Sequence, residues 1–212
     1  HIQKAKKTVQ AILWLAFAST VRKTSNMNDG MLLAAKRSRI EEIPKRSRAD
    51  VFKYFLLYAN KAIEAIAEWN SFLIESIDNS REIHQYDAKN LEGNWVCDAI
   101  LTSPPYINAI DYVWASKFEL HWLGMVQNDK ERLNLYSREI GTERIPREEC
   151  KEIGVTDNKI IDQLIVDIYK GKFYKASKGQ NELRSRVVYQ YFKDMRNHFY
   201  FSFLHLHPGG YY

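Results

Sequence analysis

Ser103-Pro104-Pro105-Tyr106 follows a short run of β-formers and small residues, Val96-Cys97-Asp98-Ala99-Ile100-Leu101-Thr102. The run reads as a buried strand stopped by a proline pair. Pro104 and Pro105 set two consecutive φ angles and remove two N–H donors. Ser103, placed before a proline, is pushed to extended backbone. The expectation is a stiff loop at the carboxyl end of a strand, with a hydroxyl on one side of it and an aromatic ring on the other. In open α/β sheets ligands bind just outside that end of the strands. Alone, the four residues read first as an ordinary turn or a proline-rich ligand.

Three neighbours shift that balance. A strand precedes the motif. A second run, Ile83-His84-Gln85-Tyr86, reads as a strand ending in Asp87-Ala88. Pro208-Gly209-Gly210 supplies a turn about a hundred residues later. With these neighbours, Thr102-Ser103-Pro104-Pro105-Tyr106 resembles the catalytic motif of amino-methyltransferases acting on DNA bases. That family carries Asp, Asn or Ser, then Pro-Pro, then Tyr, Phe or Trp. The Ser form preceded by Thr is most similar to the N4-cytosine enzymes, and the Asp form is more typical of the N6-adenine enzymes.

The resemblance implies a chemistry that accounts for the residue types. An exocyclic amino nitrogen is a poor nucleophile because its lone pair is delocalised into the ring. Two acceptors aimed at its hydrogens, the Ser103 side chain and the Pro104 carbonyl, would localise that pair for attack on a methyl sulfonium. Proline rigidity keeps the carbonyl aimed, which is electrostatic preorganisation. The target base must leave the duplex, and Tyr106 offers a face for stacking. By the same resemblance the cofactor is S-adenosylmethionine, contacted by Asp87, Ala88 and Thr102. Asp87 would accept from the adenine amino group, or else simply form a turn. Asn108, Asp111 and Tyr112, just past the loop, would line the base pocket, or else cap the following helix.

Length and composition set the frame for these residues. The chain has 212 residues, 45% hydrophobic and 27% charged, which suits one globular domain. Its two cysteines, Cys97 and Cys150, are expected to be free thiols in a reducing compartment. The longest apolar run, Ala11 to Ala18, is eight residues. That is far short of the roughly twenty needed to cross a bilayer, so no membrane partner is expected. The three histidines near the carboxyl end, His198, His205 and His207, lack the Cys or carboxylate partners of a metal site.

Charge is distributed unevenly. The formal net charge is +5, but residues 1–48 hold eleven basic and three acidic residues, leaving −3 on the remainder. Arg37, Arg39, Arg46 and Arg48, with Lys36 and Lys45, face only Glu41 and Glu42. The cluster suits phosphate contact, and otherwise it is a solvated loop. A second mix of Lys170, Lys172, Lys175 and Lys178 with Phe173 and Tyr174 resembles nucleic-acid surfaces more weakly.

Periodicity supplies the elements. Helices are expected over 1–24, over 51–77 with Asp50 as cap, over 115–123 ending at Gly124, over 157–169, and over 184–204. The apolar stripe of the 51–77 helix, Phe52, Phe55, Leu56, Ala59, Ala62, Ile63, Ile66, Trp69, Leu73 and Ile77, reads as core. The expected fold is α/β: a truncated Rossmann-like class I methyltransferase sheet with a large helical insertion. Its parts would be a helical insertion with the basic loop (1–79), the catalytic strand and loop (80–124), a target-recognition segment (125–183), and a helix with the Pro-Gly-Gly turn returning to the sheet (184–212).

One family feature is missing. These enzymes hold S-adenosylmethionine with a glycine-rich loop after their first strand, and this sequence has no such cluster. The resemblance covers 80–124 and 184–212 specifically and the first 78 residues loosely. The expectation is a fragment carrying part of the cofactor site, binding S-adenosylmethionine weakly or not at all, and itself inactive. The parent activity would be methyl transfer to N4 of cytosine in double-stranded DNA with the target base flipped out. A restriction endonuclease would be the partner system, in the cytoplasm of a prokaryote. The alternatives are an N6-adenine enzyme, a protein glutamine-amide methyltransferase, and a DNA-binding remnant without catalysis.

Overall fold

The computed structural model describes residues 2–27, 45–72, 82–107, 110–173 and 175–212. These divide into two compact units, one of residues 1–82 with 112–133 and the other of 83–111 with 134–212. The residues just after the proline loop join the amino-terminal helices, while the loop itself joins the carboxyl-terminal part.

In the first unit, α1 (Lys7–Thr24) packs along α2 (Arg48–Ser71). Ala16 and Thr20 are buried in α1, where the Thr20 hydroxyl donates to the Ala16 carbonyl at 2.6 Å. The cap of α2 is Ser47 rather than Asp50. The Ser47 hydroxyl accepts from the Asp50 N–H, and the Asp50 carboxylate accepts from the Ser47 N–H at 2.8 Å, forming a complete capping box. The Ser47 backbone N–H, and after it the Ser47 hydroxyl, hold the Asp50 carboxyl below the usual carboxylate range. The expected helix residues 73–77 lie outside the described residues.

The α2 stripe is core only along one edge. Phe55, Ala59 and Ala62 of the stripe are covered together with Tyr54 and Tyr58, and Ala59 is buried. Phe52 is 55% exposed and Trp69 is 59% exposed. A single neighbouring helix covers one row of side chains, so the Phe52, Leu56, Ile63 and Ile66 edge is left exposed.

Helix α3 (Tyr112–Ala115) and helix α4 (Lys117–Trp122) replace the single expected helix, with a step at Ser116. Gly124 ends α4 at φ +70°, donating to His121 O at 3.1 Å while Met125 donates to Leu120 O at 2.9 Å. This is a Schellman motif, which favours glycine at that position. The short α5 (Asp129–Asn134) follows, with Arg132 buried against Asp129.

The second unit is built on α6 (Lys159–Tyr169) and α7 (Lys178–Leu204). Asn158 caps α6, two residues beyond the expected start, and Ser177 caps α7 six residues ahead of Arg184. Ile165 of α6 is fully buried, and Ser185 of α7 donates to its carbonyl at 3.0 Å. The sheet among the described residues is two parallel strands, β1 (Cys97–Ala99) and β2 (Leu206–Tyr211).

Three expectations about this sheet are corrected. The strand before the proline loop spans three residues, not seven, and is half-buried to exposed. Two paired strands bury little without a covering layer. Pro208-Gly209-Gly210 lies within β2 rather than forming a turn ahead of it. Residues Cys97 and Ala99 pair with Leu206 and Tyr211, so β2 carries extra residues, and Gly209 takes φ +86° to absorb them. Residues Ile83–Tyr86 form no strand. They are exposed, and Asp87 turns the chain back at once.

Buried polar side chains on α7 make a testable point about stability. Asp194 is 5% exposed and accepts from Gln190 Nε2 at 2.9 Å. Burial pushes its carboxyl above the usual range, against the opposing pull of Lys89 and Gln190. A raised folded value means that Asp194 costs stability as pH rises from the ordinary carboxylate range of about 4 through that value. Asp194→Asn keeps an acceptor for Gln190 and removes the charge. The variant should match wild type in acid, below about pH 4, and be the more stable protein at neutral pH. Urea midpoints measured across that range would show it, and a variant less stable at neutral pH would contradict it.

Candidate active site

The Ile100 N–H makes the last sheet contact before the loop, donating to Tyr211 O at 2.9 Å. The chain then leaves β1 without regular structure. Leu101, Thr102 and Ser103 are exposed, Pro104 and Pro105 are half-buried, and Tyr106 is 70% exposed. The proline pair thus anchors the loop while the hydroxyl before it and the ring after it face outward.

What lies behind the loop was not legible in the sequence. Gly141 sits against its backbone, where an added Cβ would lie 3.4 Å from Tyr106 O and 3.6 Å from Ile107 Cα. Gly141 also lines a cavity of about 220 Å³ with Asp111, Glu139, Thr142, Glu143 and Arg144. Asp111, a residue expected in the base pocket, is in this wall. Its Oδ2 accepts the Tyr136 hydroxyl at 3.3 Å and stands 3.6 Å from Arg144 Nη2. The Arg144 guanidinium lies 5.6 Å from the Tyr136 ring centroid. Tyr136, Gly141 and Arg144 follow the motif by thirty to forty residues in a segment without periodicity, and no local pattern marks them. Of the other two pocket residues, Asn108 lies outside the described residues and Tyr112 begins α3 in the other unit.

Asp87 and Ala88 form a turn. The Lys89 N–H donates to Asp87 Oδ1 at 2.9 Å, and the Asn90 N–H donates to Asp87 O at 2.9 Å. The turn is tied to α7 by His198, which is buried. With its Nδ1 protonated, the ring donates to Ala88 O at 2.9 Å and leaves Nε2 to accept the Tyr212 hydroxyl at 2.9 Å. His205 Nδ1 similarly donates to Phe201 O at 2.8 Å, and its ring lies 4.1 Å from that of Trp95. Next to the turn, His84, Tyr86, Ala88, Leu91 and Trp95 line a cavity of about 390 Å³. Tyr86 stacks with His84 at 5.2 Å and with Trp95 at 6.4 Å. Thr102, the third expected cofactor residue, is exposed on the loop rather than in this wall.

The basic arm is only partly described. Arg37 and Arg39 lie outside the described residues. Arg46 lies over the Tyr54 ring at 5.4 Å and Arg48 over the Phe52 ring at 5.6 Å, both at the amino end of α2 in the first unit. Among the second lysine group, Lys172 pairs with Asp167 at 2.7 Å and Lys178 with Glu182 at 3.7 Å, so half of that charge is offset locally. Tyr174 lies outside the described residues.

Both cysteines are free, with Cys97 half-buried and burial raising the Cys150 thiol above its ordinary value. Among the described residues no group of His, Cys, Asp and Glu is arranged to hold a metal ion, and no helix is long and apolar enough to cross a membrane. No family model matches the chain, and no curated protein or solved structure matches it.

Proposed function

We propose that this chain carries the catalytic loop of a site-specific DNA methyltransferase that transfers a methyl group from S-adenosylmethionine to an exocyclic base amino group, N4 of cytosine by preference. The observation that carries the reading is the Ser103-Pro104-Pro105-Tyr106 loop. It leaves the carboxyl end of a parallel strand, its prolines are seated, and its hydroxyl and ring are exposed. In this reading the Ser103 side chain and the Pro104 carbonyl accept the two amino hydrogens and localise the nitrogen lone pair. Tyr106 stacks on the extruded base.

The residues around Asp87 fit the adenine end of S-adenosylmethionine. The cavity beside the turn is walled by His84, Tyr86 and Trp95, and Asp87 uses only Oδ1 for the Lys89 N–H. Asp87 Oδ2 would accept the adenine amino group, with Ala88 against the ring. For the methionine end the chain offers no glycine cradle, since its nine glycines are dispersed and only 209–210 are adjacent. When bound, S-adenosylmethionine supplies an electrophilic methyl group.

Mass spectrometry of unmethylated DNA, digested after incubation with the full-length protein that carries this loop and saturating S-adenosylmethionine, tests the activity. N4-methylcytosine is the expected product. N6-methyladenine would move the assignment to the adenine enzymes, and no methylated base at all would overturn the proposal.

The basic arm gives a separate expectation. If it contacts phosphates, DNA affinity should fall steeply with salt. Neutralising Arg37, Arg39, Arg46 and Arg48 should flatten the slope of log affinity against log salt by roughly one unit per residue. An unchanged slope would return the arm to a solvated loop.

A further inference from the structure

The cavity behind Tyr106 combines features that select among ligands. At ~30 Å³ per water, about 220 Å³ is room for roughly seven waters, enough for one nucleobase. Its wall holds one cation, Arg144, among three carboxylates, Asp111, Glu139 and Glu143. Three carboxylates disfavour an anion, so a phosphate is a poor occupant despite the arginine. Arg144 is held in place on one side by Asp111 at 3.6 Å and by the face of Tyr136. Its side chain is still 58% exposed, which leaves guanidinium N–H donors for a ligand. A guanidinium is a planar fork, suited to two acceptors side by side.

We propose that this cavity is a single-base site in which Arg144 reads the adjacent O2 and N3 acceptors of an unpaired cytosine. The assignment rests on the loop reading above and deepens it by naming the residue that chooses the base. Adenine offers the same fork only N1, flanked by a C–H. Thymine places an N–H donor at N3, facing the donors of Arg144. Guanine also presents two neighbouring acceptors, O6 and N7, but its amino group lies on the opposite edge of the base. Cytosine presents two neighbouring acceptors next to its amino group, and that amino group is the one Ser103 and Pro104 would hold. Gly141 lets the cavity and the loop meet, because its missing Cβ leaves the Tyr106–Ile107 backbone in contact with the wall.

Single-stranded oligonucleotides test this without a recognition sequence, since their bases are already unpaired. Fluorescence anisotropy with the intact chain should show oligodeoxycytidylate binding tighter than oligodeoxyadenylate by roughly ten- to a hundredfold, the discrimination of a good bidentate contact. Arg144→Ala should bring that ratio close to one while leaving the affinity for oligodeoxyadenylate unchanged. Arg144→Lys, which keeps the charge and loses the fork, should lose most of the preference as well.

Equal affinities in wild type would overturn the inference, as would no binding to either strand or a cytosine preference that survives in both variants. Equal weakening of both strands by Arg144→Ala would also overturn it, since Arg144 would then be touching the backbone. Circular dichroism of each variant separates these results from loss of folding. The methylation assay fails independently. Absent methyl transfer with an intact cytosine preference would remove the enzymatic reading and leave the base site standing.

Discussion

In the full-length protein that carries this loop, replacing Ser103 by Ala is expected to lower the single-turnover methylation rate by about a hundredfold or more, with DNA affinity nearly intact. Ser103 is exposed at the head of the loop, free of the sheet contacts that end at Ile100, so its removal should not disturb the fold. A preorganised hydrogen bond made to the reacting group acts on the transition state, and losing one typically costs on the order of a hundredfold to a thousandfold. Tyr106→Ala should differ in kind. It removes a stacking face worth roughly 1–3 kcal/mol per base, so it should weaken capture of the extruded base as well as the rate. A smaller fluorescence rise from 2-aminopurine at the target position would report that loss. Full activity in both variants, with folding confirmed, would mean that Ser103-Pro104-Pro105-Tyr106 is only a turn.

The second large effect is on stability. Gly154 lies flat against the Tyr189 ring, and an added Cβ would fall within it. The ring is half-buried, borders a cavity of about 400 Å³ and is occupied on another side. The Arg186 guanidinium lies 4.9 Å from the ring centroid, and Arg186 itself is paired with Glu149 at 3.3 Å. Gly154→Ala must therefore displace the ring, the arginine or the 154–156 backbone. Overpacking of this kind typically costs about 1–3 kcal/mol. For a chain of this size that is roughly 2–4 °C in Tm per kcal/mol. Truncating the ring should relieve the clash, so Gly154→Ala combined with Tyr189→Ala should cost less than the two single changes added together. Strict additivity in a denaturation series would show that the alanine is accommodated elsewhere.

Much of the local structure was legible in the sequence because its causes are local. Helical spacing of apolar residues marks α1, α2, α6 and α7, and a glycine needing positive φ marks the end of α4. Capping was less legible. Ser47 and Asp50 are both good cap residues, and the choice turned on which carboxylate could reach back to which N–H. The strand assigned to Ile83–Tyr86 failed for a different reason. A strand needs a partner, and the Asp87 side chain offers its own chain a turn that needs none. The α2 stripe is covered only along its Phe55, Ala59 and Ala62 edge, since periodicity names an apolar face but not how much of it a neighbour will cover.

For the candidate site the division is the same. The order of residues by itself determined a rigid proline loop with a hydroxyl before it and a ring after it, because two fixed φ angles and an extended Ser103 follow from proline chemistry alone. The same order determined the excess of positive charge in residues 1–48. Only the tertiary structure decided what stands behind the loop. Gly141, Asp111, Tyr136 and Arg144 converge there from positions up to 33 residues apart. No short-range pattern encodes that meeting, because it depends on a backbone contact at Gly141 and on ion-pair geometry at Asp111. Both exist only once the segments have packed.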